Sequence, residues 1–284
     1  MNISELCQFL KVSRAGYYRW RDDPVGKREQ EILELDVIIR RLFAEHKERY
    51  GAERIRSCLK DQGVQVSVKR VAKRMKLMNL KAQARRKYKV TTDSKHTKPV
   101  SPNLLLQDFS AVMPNQKWVS DITYIRTDEG WLYLCVIIDL FSRAVIGWQI
   151  SPRMTADLVN KSLMMALFRR GFPQGVIIHT DRGSQYCSKS FQDLIKKYGL
   201  ISSMSGKGCC YDNAACESFF HSLKVELVYT LHYQTRRAAN ASLFEYIEAY
   251  YNHKRKHSTL NYMTPMQFES TMLLSTTTCL KKVG

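Results

Sequence analysis

Three acidic residues are the strongest chemical signal in the 284-residue sequence: Asp121, Asp181 and Glu217, with 35 residues between the second and the third. Carboxylates brought together repel one another and lose hydration, so a shared site needs a compensating charge. Hard divalent cations supply it, and Mg²⁺ takes few protein carboxylates, filling its other positions with water and phosphate oxygens. Two such ions about 3.5–4 Å apart would bracket an in-line phosphoryl displacement, one activating the attacking oxygen and the other stabilising the leaving oxygen. His221 and Lys224 lie four and seven residues after Glu217, on the same face of a helix. Lys224 is thereby placed to hold a phosphate beside the metals. Arg182 and Gln185 follow Asp181 on an expected loop. Plainer readings stand beside this one: Asp121 as a local cap or pair, 181–183 as an ordinary turn, Glu217 with His221 as a surface pair. Spacing alone leaves both open. Asp139 and Asp212 are weaker candidates, the first expected to be paired or exposed, the second to belong to a loop and helix cap.

These acids need a scaffold. Segments 118–126, 131–140 and 142–150 have strand-like composition and short separations, with Asp128-Glu129-Gly130 as a turn, and read as an antiparallel meander. Helices are expected at 155–170, 189–198 and 213–228, with short strands at 176–179 and 201–204. The order β-β-β-α-β-α-β-α implies an α/β domain with a mixed sheet flanked by helices. Asp121 then lies within the first strand and Asp181 at the C-terminal end of the fourth, where open α/β sheets commonly place functional groups. If the first and fourth strands adjoin at the sheet centre and the helix of Glu217 crosses that end, the three carboxylates converge.

The first third reads differently. Residues 3–20 form two short helices around a turn, followed by helices near 27–46, 52–60 and 68–78, the last capped by Ser67. This is an all-α, helix-turn-helix-like region. Lys69, Arg70, Lys73, Arg74 and Lys76 project from the last helix without acidic partners at helical spacing, which suits phosphate contact or insertion into a major groove. Residues 81–98 hold seven Lys/Arg, including Arg85, Arg86 and Lys87, against the single Asp93, and Pro99 and Pro102 close the stretch. The expected organisation is 1–25 and 26–80 as helix-turn-helix-like segments, 81–112 as a basic linker, 113–230 as the mixed-sheet core and 231–284 as a helical, basic extension. In that extension Leu243, Tyr246, Ile247, Tyr250 and Tyr251 make a stripe that reads as core, while Lys254, Arg255, Lys256 and His257 form a basic patch expected to meet DNA.

The net charge of +19 is uneven, +13 over residues 1–107 and +6 over the rest, and favours a polyanionic partner. A hydrophobic fraction of 44% excludes a disordered chain. The most apolar stretch is interrupted by Asp139 and Arg143, which argues against a membrane span. No signal-peptide pattern opens the sequence, and the eight Cys include no C-x-x-C pair. They read as reduced thiols in a cytoplasmic protein.

The motifs RYGAERI (49–55), KWVSDITYI (117–125), HTDRGSQY (179–186), GKGCCYDNAACESFFHSLKVE (206–226) and YNHKRKHSTLNYMTPMQF (251–268) occur in one order over about 220 residues. In these the sequence resembles the second-frame (OrfB-type) product of bacterial insertion sequences of the IS3 family. The resemblance implies a ribonuclease-H-like integrase core with a DDE triad, Asp121, Asp181 and Glu217 as catalytic metal ligands and Lys224 as the basic residue that follows them. It implies two Mg²⁺ ions, with Mn²⁺ as a substitute, and double-stranded DNA as substrate at element ends and target. The implied reaction is hydrolysis to free a 3′-OH, then strand transfer without ATP or a covalent protein–DNA intermediate. An upstream-frame (OrfA-type) partner and a homo-oligomer are also implied, with the chain at the nucleoid when DNA-bound. Gly206, Cys209 and Asn261 depart from the usual pattern, which has Arg, Asn and Gly at those positions. Two other readings compete: a non-catalytic DNA-binding regulator, motivated by the basic N-terminal third, and a ribonuclease-H-like nuclease with no joining step.

Overall fold

The computed structural model describes residues 2–22, 25–83, 100–206 and 213–280, with side chains given up to residue 274. The chain divides into two compact units, residues 1–83 and 84–284.

The first unit is helical: α1 (Ile3–Phe9), α2 (Arg14–Asp22), α3 (Lys27–Glu45), α4 (Ala52–Asp61) and α5 (Val68–Leu77). Local chemistry sets several starts. Asn2 accepts from the Glu5 amide while the Glu5 carboxylate accepts from the Asn2 amide, both at 2.9 Å, a reciprocal capping box. Ser13 Oγ accepts from the Gly16 amide at 3.0 Å, and Ser67 Oγ from the Arg70 amide at 3.2 Å. The helices α3, α4 and α5 pack together through Leu35, Ile39, Leu42 and Phe43, Ile55, Cys58 and Leu59, and Val71 and Met75. Their spacing of three and four is the apolar stripe of an amphipathic helix. Lys69, Arg70, Lys73 and Lys76 stay exposed on α5. Arg74 does not join them. It is half-buried against Asp36 of α3, donating from Nε at 2.8 Å and from Nη2 to the second carboxylate oxygen. Its partner lies 38 residues upstream, which no helical-spacing rule could reveal.

The second unit holds a five-stranded sheet. Its strands are β1 (Lys117–Thr127), β2 (Gly130–Asp139), β3 (Val145–Ser151), β4 (Ile177–Thr180) and β5 (Ile201–Met204), in spatial order β3-β2-β1-β4-β5. The first three pair antiparallel. β1 pairs parallel with β4 through 117–119, and β4 parallel with β5. Gly130 closes the β1–β2 turn with φ +104°, a region that disfavours any side chain. The helices of this unit are α6 (Ala156–Arg170), α7 (Lys189–Lys197), α8 (Ala214–Glu226), α9 (Arg236–Phe244) and α10 (Pro265–Leu280). One sheet face packs on α6 and α7 through Trp118, Ile137, Ile146, Leu163, Ile178 and Phe191.

Gly147 on β3 lies tight against the backbone of α6. A Cβ there would sit 2.4 Å from the Ser162 carbonyl and 2.8 Å from Ala166 Cβ of α6. Backbone cannot yield as a flexible side chain does. Gly147→Ala is expected to destabilise the fold by about 1–3 kcal/mol, seen as a lower urea midpoint.

Several described residues beyond 231 pack onto β3 and α6. Asn252 donates to the Val145 carbonyl at 2.9 Å and accepts from the Val145 amide at 3.0 Å, the pair of bonds a neighbouring strand would otherwise make. Trp148 Nε1 donates to Glu248 at 2.6 Å, and Arg170 pairs with Glu269 of α10. A π-helical segment, Glu245–Tyr251, buries Tyr246, Ile247, Tyr250 and Tyr251. Arg255 and Lys256, expected on a DNA-facing patch, are buried. Arg255 is 3% exposed and its guanidinium is committed to Glu226 of α8, donating from Nη2 at 2.7 Å and from Nε at 2.9 Å. Desolvating so many donors is tolerable only beside a carboxylate, and α8 supplies it. Asn261, where the family usually has Gly, adopts a left-handed conformation (φ +52°, ψ +37°) that Asn tolerates better than most residues. Among the described residues no helix is long and apolar enough to cross a membrane.

Candidate active site

The sheet order brings the first two acids to one end. Asp121 sits mid-strand on β1, opposite Val136 of β2, and Asp181 directly follows β4. Because β4 pairs with β1 only at 117–119, the edge of β1 beyond Val119 is left unpaired by β4. The start of α8 is tied there: Asn213 Nδ2 donates to the Ser120 carbonyl at 3.1 Å. Glu217, in the first turn of α8, is thereby carried toward Asp121.

The electrostatics register this juxtaposition. The Asp121 carboxyl is pushed up to about 8, first by burial and then by the Asp181 charge, with Glu217 adding to it. Its own contact to the Ile122 amide, at 2.7 Å, and the Lys224 charge pull the other way. Burial likewise raises the half-buried Glu217. Cys216 is beside the acids, but burial holds its thiol well above the usual range, so it is a neutral packing group. Among the described residues no three His, Cys, Asp or Glu side chains are already drawn into a closed ligand cage. The acids are neighbours by charge.

Asp181 and the surroundings of Asp121 are fixed by hydrogen bonds. Asp181 Oδ1 accepts from the Gly183 amide at 2.9 Å, and a Cβ on Gly183 would lie 2.9 Å from that oxygen and 3.1 Å from Gln185 Oε1, so the turn fits glycine. Ser120, next to Asp121, shares a 2.9 Å hydrogen bond with the buried hydroxyl of Tyr186. His179 is wholly buried within hydrogen-bond distance of Ser203 (2.8 Å) and Ser205 (3.1 Å), and fastens β4 to β5. Arg182 donates from Nε to the Ser205 carbonyl at 2.7 Å. His221 is half-buried on α8. Lys224 is buried rather than extended: its ammonium lies 5.0 Å from the Tyr124 ring centroid, burial lowers its pKa and Asp121 partly restores it.

Asp139 faces elsewhere. It is 0% exposed and accepts from the Asn115 and Phe141 amides at 2.9 and 3.0 Å, with Arg170 at 3.6 Å. Asp212, Cys209 and the basic run Arg85, Arg86 and Lys87 lie outside the described residues. Asn213, Ser120 and Tyr186 are the supporting residues that sequence reasoning missed. Asn213 was visible only as part of a motif, and the Tyr186–Ser120 contact joins residues 66 apart in sequence.

A mixed sheet of this strand order, flanked by helices, defines an integrase-type core of ribonuclease-H-like fold. Family profiles agree: "Integrase core domain" matches residues 111–210 and again 217–273, and "HTH-like domain" matches 27–88. The chain is 50% identical over 271 residues to transposase InsF for insertion sequence IS3A of Escherichia coli K12, covering 95% of this chain and 94% of that one. It is 41% identical over 263 residues to an IS600 uncharacterized 31 kDa protein of Shigella sonnei, covering 93% and 97%. Among solved structures it is similar to a simian T-cell lymphotropic virus intasome, at 23% identity and a TM-score of 0.48, covering 62% of this chain and 60% of that one. The chain belongs to the IS3 family of insertion-sequence transposases, which carry out DNA transposition by DDE-type integrase chemistry.

Proposed function

We propose that Asp121, Asp181 and Glu217 are the catalytic, metal-holding acids of this transposase. The observation that carries the reading is Asp121 on the central strand with Asp181 and Glu217 as its charged neighbours. The donor set is all oxygen, and a half-buried carboxyl crowded by two others is the kind of charge excess that a hard divalent cation relieves. Two Mg²⁺ ions, or Mn²⁺ in their place, would supply Lewis-acid activation of the attacking oxygen and charge compensation at the leaving oxygen.

The chain's own part is position. Asp121 rides a strand paired on both sides of its base, Asp181 is restrained by the Gly183 amide, and Glu217 is set by a helix anchored through Asn213. A water oxygen adds to the phosphorus at an element end, and the 3′-oxygen departs as a free hydroxyl. That hydroxyl then attacks a target phosphodiester. One P–O bond forms and one breaks in each step, so neither ATP nor a protein–DNA bond is needed.

For DNA, the exposed Lys69, Arg70 and Lys73 of α5 suit phosphate contact, as do Arg85, Arg86 and Lys87 by composition. Arg182, His221 and Lys224 flank the acids. Arg74 and Arg255 are spoken for by Asp36 and Glu226. Residues 1–25 and 26–80 serve DNA binding in this reading, 81–112 links them to the 113–230 core, and 231–284 braces that core. An OrfA-type upstream product and further copies of the chain complete the assembly on DNA, in the cytoplasm at the nucleoid.

The test supplies purified protein, with the upstream product, and element-end duplex in Mg²⁺, and follows 3′-OH release and strand joining on a denaturing gel. The wild type is expected to give both products and Asp181→Asn neither. Equal activity in Asp181→Asn refutes the assignment, and release without joining would make the protein a nuclease.

A further inference from the structure

Beside the acids lies a groove to which none of this chemistry assigns a role. It encloses about 640 Å³, within the usual range for ligand sites, and is lined by Tyr124, Arg126, Trp131, Lys224, Tyr229 and His232 among others. Three of its rings are strongly exposed: Tyr124 44%, Trp131 48% and Tyr229 51%. An aromatic cluster left open to water marks a binding surface more often than a packing remnant.

We propose that this groove is a stacking site for an unpaired nucleobase of the DNA strand held at the carboxylates. The proposal rests on the active-site reading above, because it takes DNA to lie at Asp121. Four observations favour a base as the occupant. Tyr124 and Trp131 stand edge-to-face with centroids 5.1 Å apart, an arrangement that fixes both rings and leaves ring surface open. Cations share the groove: Lys224 lies against Tyr124, and Arg126 projects from the same strand face as Tyr124. The acidic member of the lining, Asp128, is within hydrogen-bond distance of His232 at 3.0 Å, which engages one of its carboxylate oxygens. Finally, Lys224 acts on both Tyr124 and Asp121, which puts the mouth of the groove next to the acids.

Rings combined with cations are how proteins hold single strands, since every base has a face to stack and every nucleotide a phosphate. A base inside a duplex already has both faces covered. The occupant is therefore a base freed from pairing, at a frayed element end or an opened target.

The experiment is a fluorescence-anisotropy titration without divalent metal, using a labelled element-end duplex in blunt form and with a short single-stranded extension. The wild type is expected to bind the extended duplex about tenfold more tightly, as one stacked base implies. Trp131→Ala and Tyr229→Ala are expected to bring the ratio near one while leaving blunt-end affinity in place, and Trp131→Phe to keep most of the preference. A wild-type ratio of one, or a ratio unchanged in both alanine variants, overturns the proposal. So does an equal loss for both duplexes, which would make the rings structural. Asp181→Asn should keep the ratio while losing strand chemistry. With strand chemistry followed separately in Mg²⁺ beside the upstream product, equal activity in Asp181→Asn with the ratio kept defeats the acid assignment alone; normal wild-type chemistry with a ratio of one defeats the groove alone.

Discussion

Asp121→Asn is expected to lower 3′-end cleavage and joining by about 10³-fold or more, the loss of several kcal/mol of metal-borne charge stabilisation. The substitution keeps the shape of the side chain, so folding should survive it. Its effect on stability should distinguish it from a merely damaging change. In the metal-free wild type, the Asp121 carboxyl is raised from the ordinary carboxylate range to about 8 by burial and by Asp181 and Glu217. The folded state then holds a proton that the unfolded chain has released. Stability therefore falls as pH rises from the ordinary carboxylate value to about 8. Asp121→Asn removes this dependence, so thermal midpoints of metal-free protein should decline less across that window in the variant. Retained cleavage would overturn Asp121's catalytic role, and an unchanged pH profile would overturn the crowding of acids inferred around it.

Glu226→Ala is expected to destabilise the second unit by about 3–5 kcal/mol, because it strands a buried guanidinium. Glu226 takes bonds from Arg255 Nε and Nη2 and accepts from the Tyr246 hydroxyl at 2.9 Å, while Arg255 Nη2 also donates to Ser222 at 2.9 Å. These contacts tie α8, which carries Glu217, to the chain around the π-helical segment. Loss of the anchor should be read in a urea unfolding curve, and cleavage should weaken along with it. A change under about 1 kcal/mol would show that the pair is replaceable by solvent. Replacing both partners by apolar residues of similar volume should restore much of the stability, since no charge is then left buried alone.

The scaffold of the site was legible where periodicity and chain order carry information. Strand-like composition, short separations and the 128–130 turn marked β1 to β3, the short run at 176–179 marked β4, and the order of elements allowed β4 to lie beside β1, as observed. Helix spacing placed His221 and Lys224 on the face of Glu217. What stayed hidden was partner choice over long separations. Arg74 looked free because rules of helical spacing see only four residues away, and Asp36 is on another helix. Arg255 looked like part of a surface patch because Lys254, Lys256 and His257 flank it, yet Glu226 lies 29 residues upstream and draws it inward. The extension of 231–284 was legible as helical with a core-facing stripe, but nothing in its composition tells that Asn252 would take up the Val145 backbone. The groove at Tyr124 and Trp131 escaped for a related reason. Two strand residues became neighbours by hairpin register, and Tyr229 joined them from beyond α8.

The most direct measurement is the anomalous scattering of Mn²⁺ in crystals of the protein. The account predicts peaks bounded by Asp121, Asp181 and Glu217, at oxygen-coordination distances of roughly 2.0–2.3 Å, and their disappearance in Asp181→Asn. Well-occupied Mn²⁺ bound only away from these carboxylates, or peaks unchanged by Asp181→Asn, would contradict it.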